Sequence, residues 1–123
     1  MKKIKKNNKN LTIREIQDWE KSFLEKKGVF EDKDKEKAIK TAICKLAEET
    51  GEVAEAILED KWDKIQEEVT DVIVFACKVA NIAEKFYGAE DLSDAIRKKI
   101  KICDEREWNP DNKKLNKTKN ERA

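Results

Sequence analysis

Only three glycines and one proline punctuate 123 residues. A many-stranded β fold needs turn residues every few positions, so this scarcity rules one out. Residues rich in Lys, Glu, Ala, Ile and Asp read as helical instead. The length is one domain's worth. Charged residues reach 45% against 38% apolar, which leaves material for a small core. The chain has no histidine. Ser-His-Asp and Cys-His catalysis, His-ligated zinc or iron, and the Glu-x-x-His pattern of di-iron bundles are therefore excluded.

Charge is unevenly spread. The 28 bases and 27 acids nearly cancel, but residues 1–10 carry five lysines and no acid, and residues 109–123 carry five bases and two acids. Residues 11–108 keep 18 bases and 25 acids, a net of −7. We read 1–10 and 109–123 as flexible basic segments flanking one helical domain at 11–108. Cys44, Cys77 and Cys103 are an odd number with no C-x-x-C spacing, as in a reduced cytoplasmic protein. No leader-like apolar segment follows the first lysines and no run approaches a membrane span, so no membrane association is expected.

Four helices are expected. Thr12-Ile13-Arg14-Glu15 fits a capping box that opens the first, with Ile13, Ile16, Trp19, Phe23 and Leu24 at helical spacing and Gly28 as stop after Lys27. A connection at 29–34 ends in Asp32 or Asp34 as cap. The second helix spans about 35–59 with a stripe of Ile39, Ile43, Leu46, Thr50, Val53 and Ile57. Gly51 lies inside it, which points to a close helix approach or a ligand, because mid-helix Gly costs about 1 kcal/mol against Ala. The third, about 64–87, ends at Gly88. Its stripe of Ile65, Val69, Val72, Ile73, Ala76, Val79, Ala80 and Ala83 is widened by Val74, Phe75, Ile82 and Phe86. A helix so broadly apolar needs neighbours on several sides, which points to a subunit interface. Asp91-x-x-Asp94 opens the fourth, to about Arg106, with Ile96, Ile100 and Cys103 inward, and Asn109-Pro110 ends the ordered chain. The fold class is all-α, a four-helix antiparallel bundle completed by dimerisation or tetramerisation.

Two acidic patterns carry chemistry: Glu48-Glu49-x-x-Glu52 and Glu68-x-x-Asp71. Glu49 and Glu52 stand at about 60° and 120° from Leu46, and Glu68 and Asp71 at the same offsets from Ile65. Both pairs border an apolar stripe, so antiparallel packing would gather four carboxylates. Such a group is compensated by a divalent cation, and an all-oxygen set suits Mg²⁺, with Mn²⁺ a substitute. The plain alternative is two solvated acidic faces.

On these residues the chain resembles the all-α nucleoside triphosphate pyrophosphohydrolases of the MazG-like superfamily. Residues 45–56 (KLAEETGEVAEA) are similar to the family's first acidic helix and 67–73 (EEVTDVI) to its second. Residues 95–108 (AIRKKIKICDEREW) resemble its closing K-x-x-x-N-x-x-R-x-W segment. The resemblance implies Glu49, Glu52, Glu68 and Asp71 as metal ligands, with Glu48 beside the ligands or positioning the attacking water together with Glu49. It further implies Lys99 on phosphate oxygens, with Lys45 and Arg106 as weaker candidates. Where the family often has Asn, this chain has Cys103, a poor hydrogen bonder. The implied reaction converts a nucleoside or deoxynucleoside triphosphate to the monophosphate and pyrophosphate, and its implied role is clearing unwanted nucleotides. Trp19 and Trp62 are candidates to stack a base, or else core; Asn81 would meet sugar or base, or else solvent; Cys44 and Cys77 are small packing residues. The competing class is a non-catalytic helical binding module whose basic ends touch nucleic acid, disfavoured by the acidic body.

Overall fold

A computed structural model of the chain describes residue 4, residues 10–28 and residues 34–117. Most of the basic N-terminal segment, Asp32 with its connection, and residues 118–123 lie outside the described residues. The architecture is all-α: α1 (Ile13–Lys26), α2 (Lys35–Leu58), α3 (Ile65–Phe86) and α4 (Leu92–Asp104), with a short 3-10 turn at Trp62–Lys64 before α3. Two compact units are distinguished, residues 1–89 and 90–123. The first holds α1 to α3 and the second holds α4.

Local chemistry sets the helix ends. Thr12 Oγ1 accepts from Glu15 N (3.1 Å) and Glu15 Oε1 accepts from Thr12 N (3.0 Å), so the capping box is formed. After α1, Gly28 takes a positive φ of 76°, which an L side chain would resist. Asp34 is the N-cap of α2 but makes no side-chain cap bond. The end of α2 is less ordinary. Lys61 N donates to Ala56 O (2.8 Å) and Asp60 N to Ile57 O (3.2 Å), the bond pair of a Schellman motif. Its left-handed position, usually glycine, is filled by Asp60 at φ 56°.

In the first unit α3 packs against both α1 and α2. Leu24, Ala42 and Ile82 form the buried centre, joined by Ala38, Ile39, Val79 and Phe86. Early α2 positions thus meet late α3 positions, the order that antiparallel helices give. The faces differ from those read off periodicity. On α2 the inward line is Ala42, Leu46, Glu49, Val53 and Ala56, whereas Ile43, Thr50 and Ile57 are exposed. Small Ala side chains permit close approach but carry little weight in a hydrophobic pattern, so the true face sits to one side of the expected stripe. Gly51 is exposed and a Cβ there would meet nothing within 4 Å, so no close approach among the described residues explains it. Ile73 and Ala76 of α3 are exposed, as is Cys44 of α2, while Cys77 is buried as expected.

The sharpest departure is on α1, whose buried residues are Gln17, Glu20 and Leu24. Phe23, expected inward, lies on the exposed side and carries Trp19 stacked on it.

In the second unit Asp91 Oδ1 accepts from Asp94 N (3.1 Å) and opens α4. Ile96 and Cys103 are half-buried, but Ile100 is exposed. The described chain continues past Asn109-Pro110 into a hairpin, β1 (Trp108–Asn109) paired antiparallel with β2 (Lys114–Leu115). Asn109 Oδ1 accepts from Asp111 N (2.9 Å) and Asn112 Oδ1 from Lys114 N (3.0 Å). These are Asx turns, and Lys113 at φ 54° completes the reversal.

Candidate metal centre

The α2–α3 seam carries the acidic residues. Glu49 falls on the inward line between Leu46 and Val53, so it sits inside the seam and does not merely border it. Glu49, Glu68 and Asp71, all half-buried, each offer a carboxylate oxygen, and these atoms lie within 4.8 Å of one another. Glu52, one turn after Glu49, lies within proton-sharing reach of both Glu49 and Glu68. Four acids from two helices therefore meet at one place.

Their crowding has a measurable cost in charge. The carboxyl of Glu49 is held above its usual range, first by the hydrogen bond to Glu52, then by partial burial and the charges of Glu52, Asp71 and Glu68. Glu68 is raised as well, first by partial burial, then by its bond to Glu52 and the charges of Glu52, Asp71 and Glu67. Without a cation the group holds protons it would otherwise release.

The residues fit a hard divalent ion. Oε2 of Glu49 is buried and has no hydrogen-bond partner among the described residues, an orphaned acceptor inside an all-oxygen donor set. Carboxylates of this kind suit Mg²⁺ or Mn²⁺, which retain open positions for water and phosphate oxygens.

The other expected residues are placed as follows. Glu48 is exposed and pairs with Lys45 on the same helix (3.2 Å), so these two balance each other at the surface of α2. Trp19 stacks on Phe23, centroids 5.6 Å apart at 24°. Trp62, on the 3-10 turn, is 64% exposed. Asn81 does not face solvent: it is buried, and its Nδ2 donates to Gln17 O (3.0 Å), which ties α3 to α1. Lys99 is an exposed residue of α4, and Arg106 follows that helix with its N donating to Cys103 O (3.1 Å).

Sequence reasoning missed two cations. A cavity of about 450 Å³ opens beside the carboxylates, with Glu52 and Glu68 in its wall and Lys61 and Lys64 from the turn between the helices. Lys61 pairs with Glu59 (2.8 Å) and Lys64 approaches Glu67 (3.8 Å). The available signal was a Lys-x-x-Lys spacing directly after the end of α2.

The family model of the MazG nucleotide pyrophosphohydrolase domain matches residues 37–108. The chain belongs to this family. The match covers nearly all of α2, the 3-10 turn, α3 and α4, and so all four clustered acids; α1 lies before it. No curated protein and no solved structure matches the chain. As a MazG-domain protein it is a nucleotide pyrophosphohydrolase in general class, and its helical architecture agrees with that assignment. No helix among the described residues is long and apolar enough to cross a membrane.

Proposed function

We propose that this MazG-domain protein hydrolyses a nucleoside or deoxynucleoside triphosphate to the monophosphate and pyrophosphate, with Mg²⁺ as cofactor and Mn²⁺ as substitute. The observation that carries this reading is the convergence of Glu49, Glu68 and Asp71 in the α2–α3 seam, inside the residues that match the family. Glu49, Glu52, Glu68 and Asp71 hold the metal. When bound, that ion polarises the phosphoryl group and lowers the pKa of a coordinated water. Glu52 adds its charge beside both Glu49 and Glu68. Glu49 brings an unpartnered acceptor to the site and is the best placed of the acids to receive a proton from the attacking water; exposed Glu48 stands at its margin. Lys61 and Lys64 line the adjoining cavity and meet phosphate oxygens there; the resemblance to the family further implies Lys99, Lys45 and Arg106 for phosphate binding. Exposed Trp62 remains a base-stacking surface.

The assembly is a homodimer or homotetramer. Ile43, Ala47, Gly51, Ala54 and Leu58 make an exposed line of apolar and small residues along α2, Leu58 being 83% exposed. Such a line supports association with a second copy, and open space around Gly51 supports close approach there. Three free thiols fit the cytoplasm.

The test is pyrophosphate release from a panel of triphosphates with Mg²⁺. Glu49→Gln or Asp71→Asn should abolish turnover and leave helical circular dichroism intact. Orthophosphate as first product, or unchanged turnover in both variants, would overturn the reading.

A further inference from the structure

The second polar group of the first unit lies between α1 and α3 and takes no part in the proposed chemistry. Glu20 is 2% exposed. Its carboxyl makes no hydrogen bond and no ion pair among the described residues. One turn earlier Gln17 is also buried; its Nε2 donates to Glu84 Oε2, its backbone carbonyl accepts from Asn81, and its Oε1 is buried without a partner. From α3 the titratable groups on this side are Lys78, Cys77 and Glu84. Lys78 is the cation felt by Glu20, but its Nζ lies over the Phe75 ring, 5.7 Å from the centroid, and reaches no carboxylate at ion-pair distance among the described residues. From α2, Ala42 shares the buried cluster with Leu24, and Ala38 and Ile39 pack against that cluster.

A buried carboxylate with neither a hydrogen bond nor an adjacent cation is strongly disfavoured. Either the group stays protonated or the structure opens to admit water. Opening is cheap here, because Leu24 is the sole fully buried apolar side chain of α1 among the described residues.

We propose that α1 is a pH-gated helix, docked on α3 while Glu20 is neutral and separating from it when Glu20 ionises. Burial, opposed by the charge of Lys78, raises Glu20 from 4.5 to about 7 in the docked state. A released α1 returns Glu20 to water and to its ordinary value. The released form therefore binds fewer protons, and raising the pH between those two values favours it. Above about 7 both forms are ionised and the effect levels off. Release also uncovers Cys77, whose thiol is held above its usual range first by burial.

The experiment is hydrogen–deuterium exchange with mass spectrometry on the full chain from pH 5 to 8, each rate corrected for intrinsic exchange chemistry. In the wild type, opening of α1 should rise up to about tenfold per pH unit below 7 and then flatten, while α2 and α3 keep their protection. Glu20→Gln, a neutral mimic of the acid, should give a flat profile with α1 protected throughout. Lys78→Met should move the plateau to higher pH, a readout that stands even if Glu20→Gln folds poorly. A flat wild-type profile, a slope retained in Glu20→Gln, an unmoved plateau in Lys78→Met, or simultaneous loss of protection in α2 and α3 would each overturn the proposal.

Discussion

Two groups of polar side chains interrupt the apolar packing of the first unit, and they differ in almost every physical respect. Between α2 and α3, Glu49, Glu68 and Asp71 are like-charged and half-buried beside exposed Glu52, and a cavity walled in part by Glu52 and Glu68 adjoins them. Between α1 and α3, Gln17, Glu20 and Asn81 are fully buried, and amides supply most of the bonding. One group is incomplete without a cation; the other is closed by the fold and leaves one acid that pH can charge. Burial of polar atoms is therefore no guide to function by itself. What separates the two is access: the first can be completed from outside, and the second only by moving a helix.

The largest effect that would break this comparison is on turnover. Asp71→Asn or Glu68→Gln should lower pyrophosphate release by about 100-fold or more, the scale expected when a metal site loses a ligand. Without Mg²⁺ the same substitutions should raise the melting temperature, because the carboxylates repel one another until a cation binds. Lower melting in both variants would mean that the acids stabilise the fold.

Ile82→Ala tests the packing shared by the two seams. Ile82 is fully buried in the cluster that joins Leu24 of α1 to Ala42 of α2, so truncation should cost about 2–5 kcal/mol in denaturant unfolding. A cost near zero would show that the first unit is not one cooperative core.

Glu20→Gln should leave turnover unchanged at pH 6 and stabilise the protein at pH 8. The sign follows from a folded value near 7 above an unfolded value of 4.5: the stability attached to the neutral acid is complete below 4.5 and is lost as pH rises through about 7. Melting curves at both pH values check it, and equal shifts would contradict it.

Two smaller effects act on the supports of each group. Thr12→Ala removes the cap of α1 and should cost about 1 kcal/mol, with reduced exchange protection confined to α1. Asp60→Gly relaxes the left-handed turn between α2 and α3 and should gain less than about 1 kcal/mol in denaturant melts.

The sequence was most informative where a residue acts on its own neighbours. Thr12 with Glu15, Gly28, Gly88 and Asp91 mark helix ends through contacts no more than a few residues long, and the observed helices begin and end within about two residues of the expected positions. The spacing of the acids likewise fixed their mutual position along two helices. It did not fix which face turns inward, because Ala42 and Ala56 outrank Ile43 and Ile57 only once α3 is in place. Nothing local marks Gln17 and Glu20 as buried, because the groups they meet, Asn81, Glu84 and the charge of Lys78, lie on another helix. The hairpin was not expected: Asn109-Pro110 reads as the end of the ordered chain, yet the Asx turns of Asn109 and Asn112 close a four-residue loop. Lys61 and Lys64 gained meaning only from the cavity they line.

The turn at Asp60 also bears on the order in which the molecule assembles. It lets α2 fold directly back onto α3, so the proposed ligands span no more than positions 49 to 71, whereas the bonds from Gln17 close separations of 64 and 67 residues. Loop-closure entropy grows with the logarithm of that separation, and the difference amounts to about 1 kcal/mol against early docking of α1. The α2–α3 hairpin is thus the natural folding nucleus, and the acidic centre takes shape during synthesis or refolding before the N-terminal helix commits.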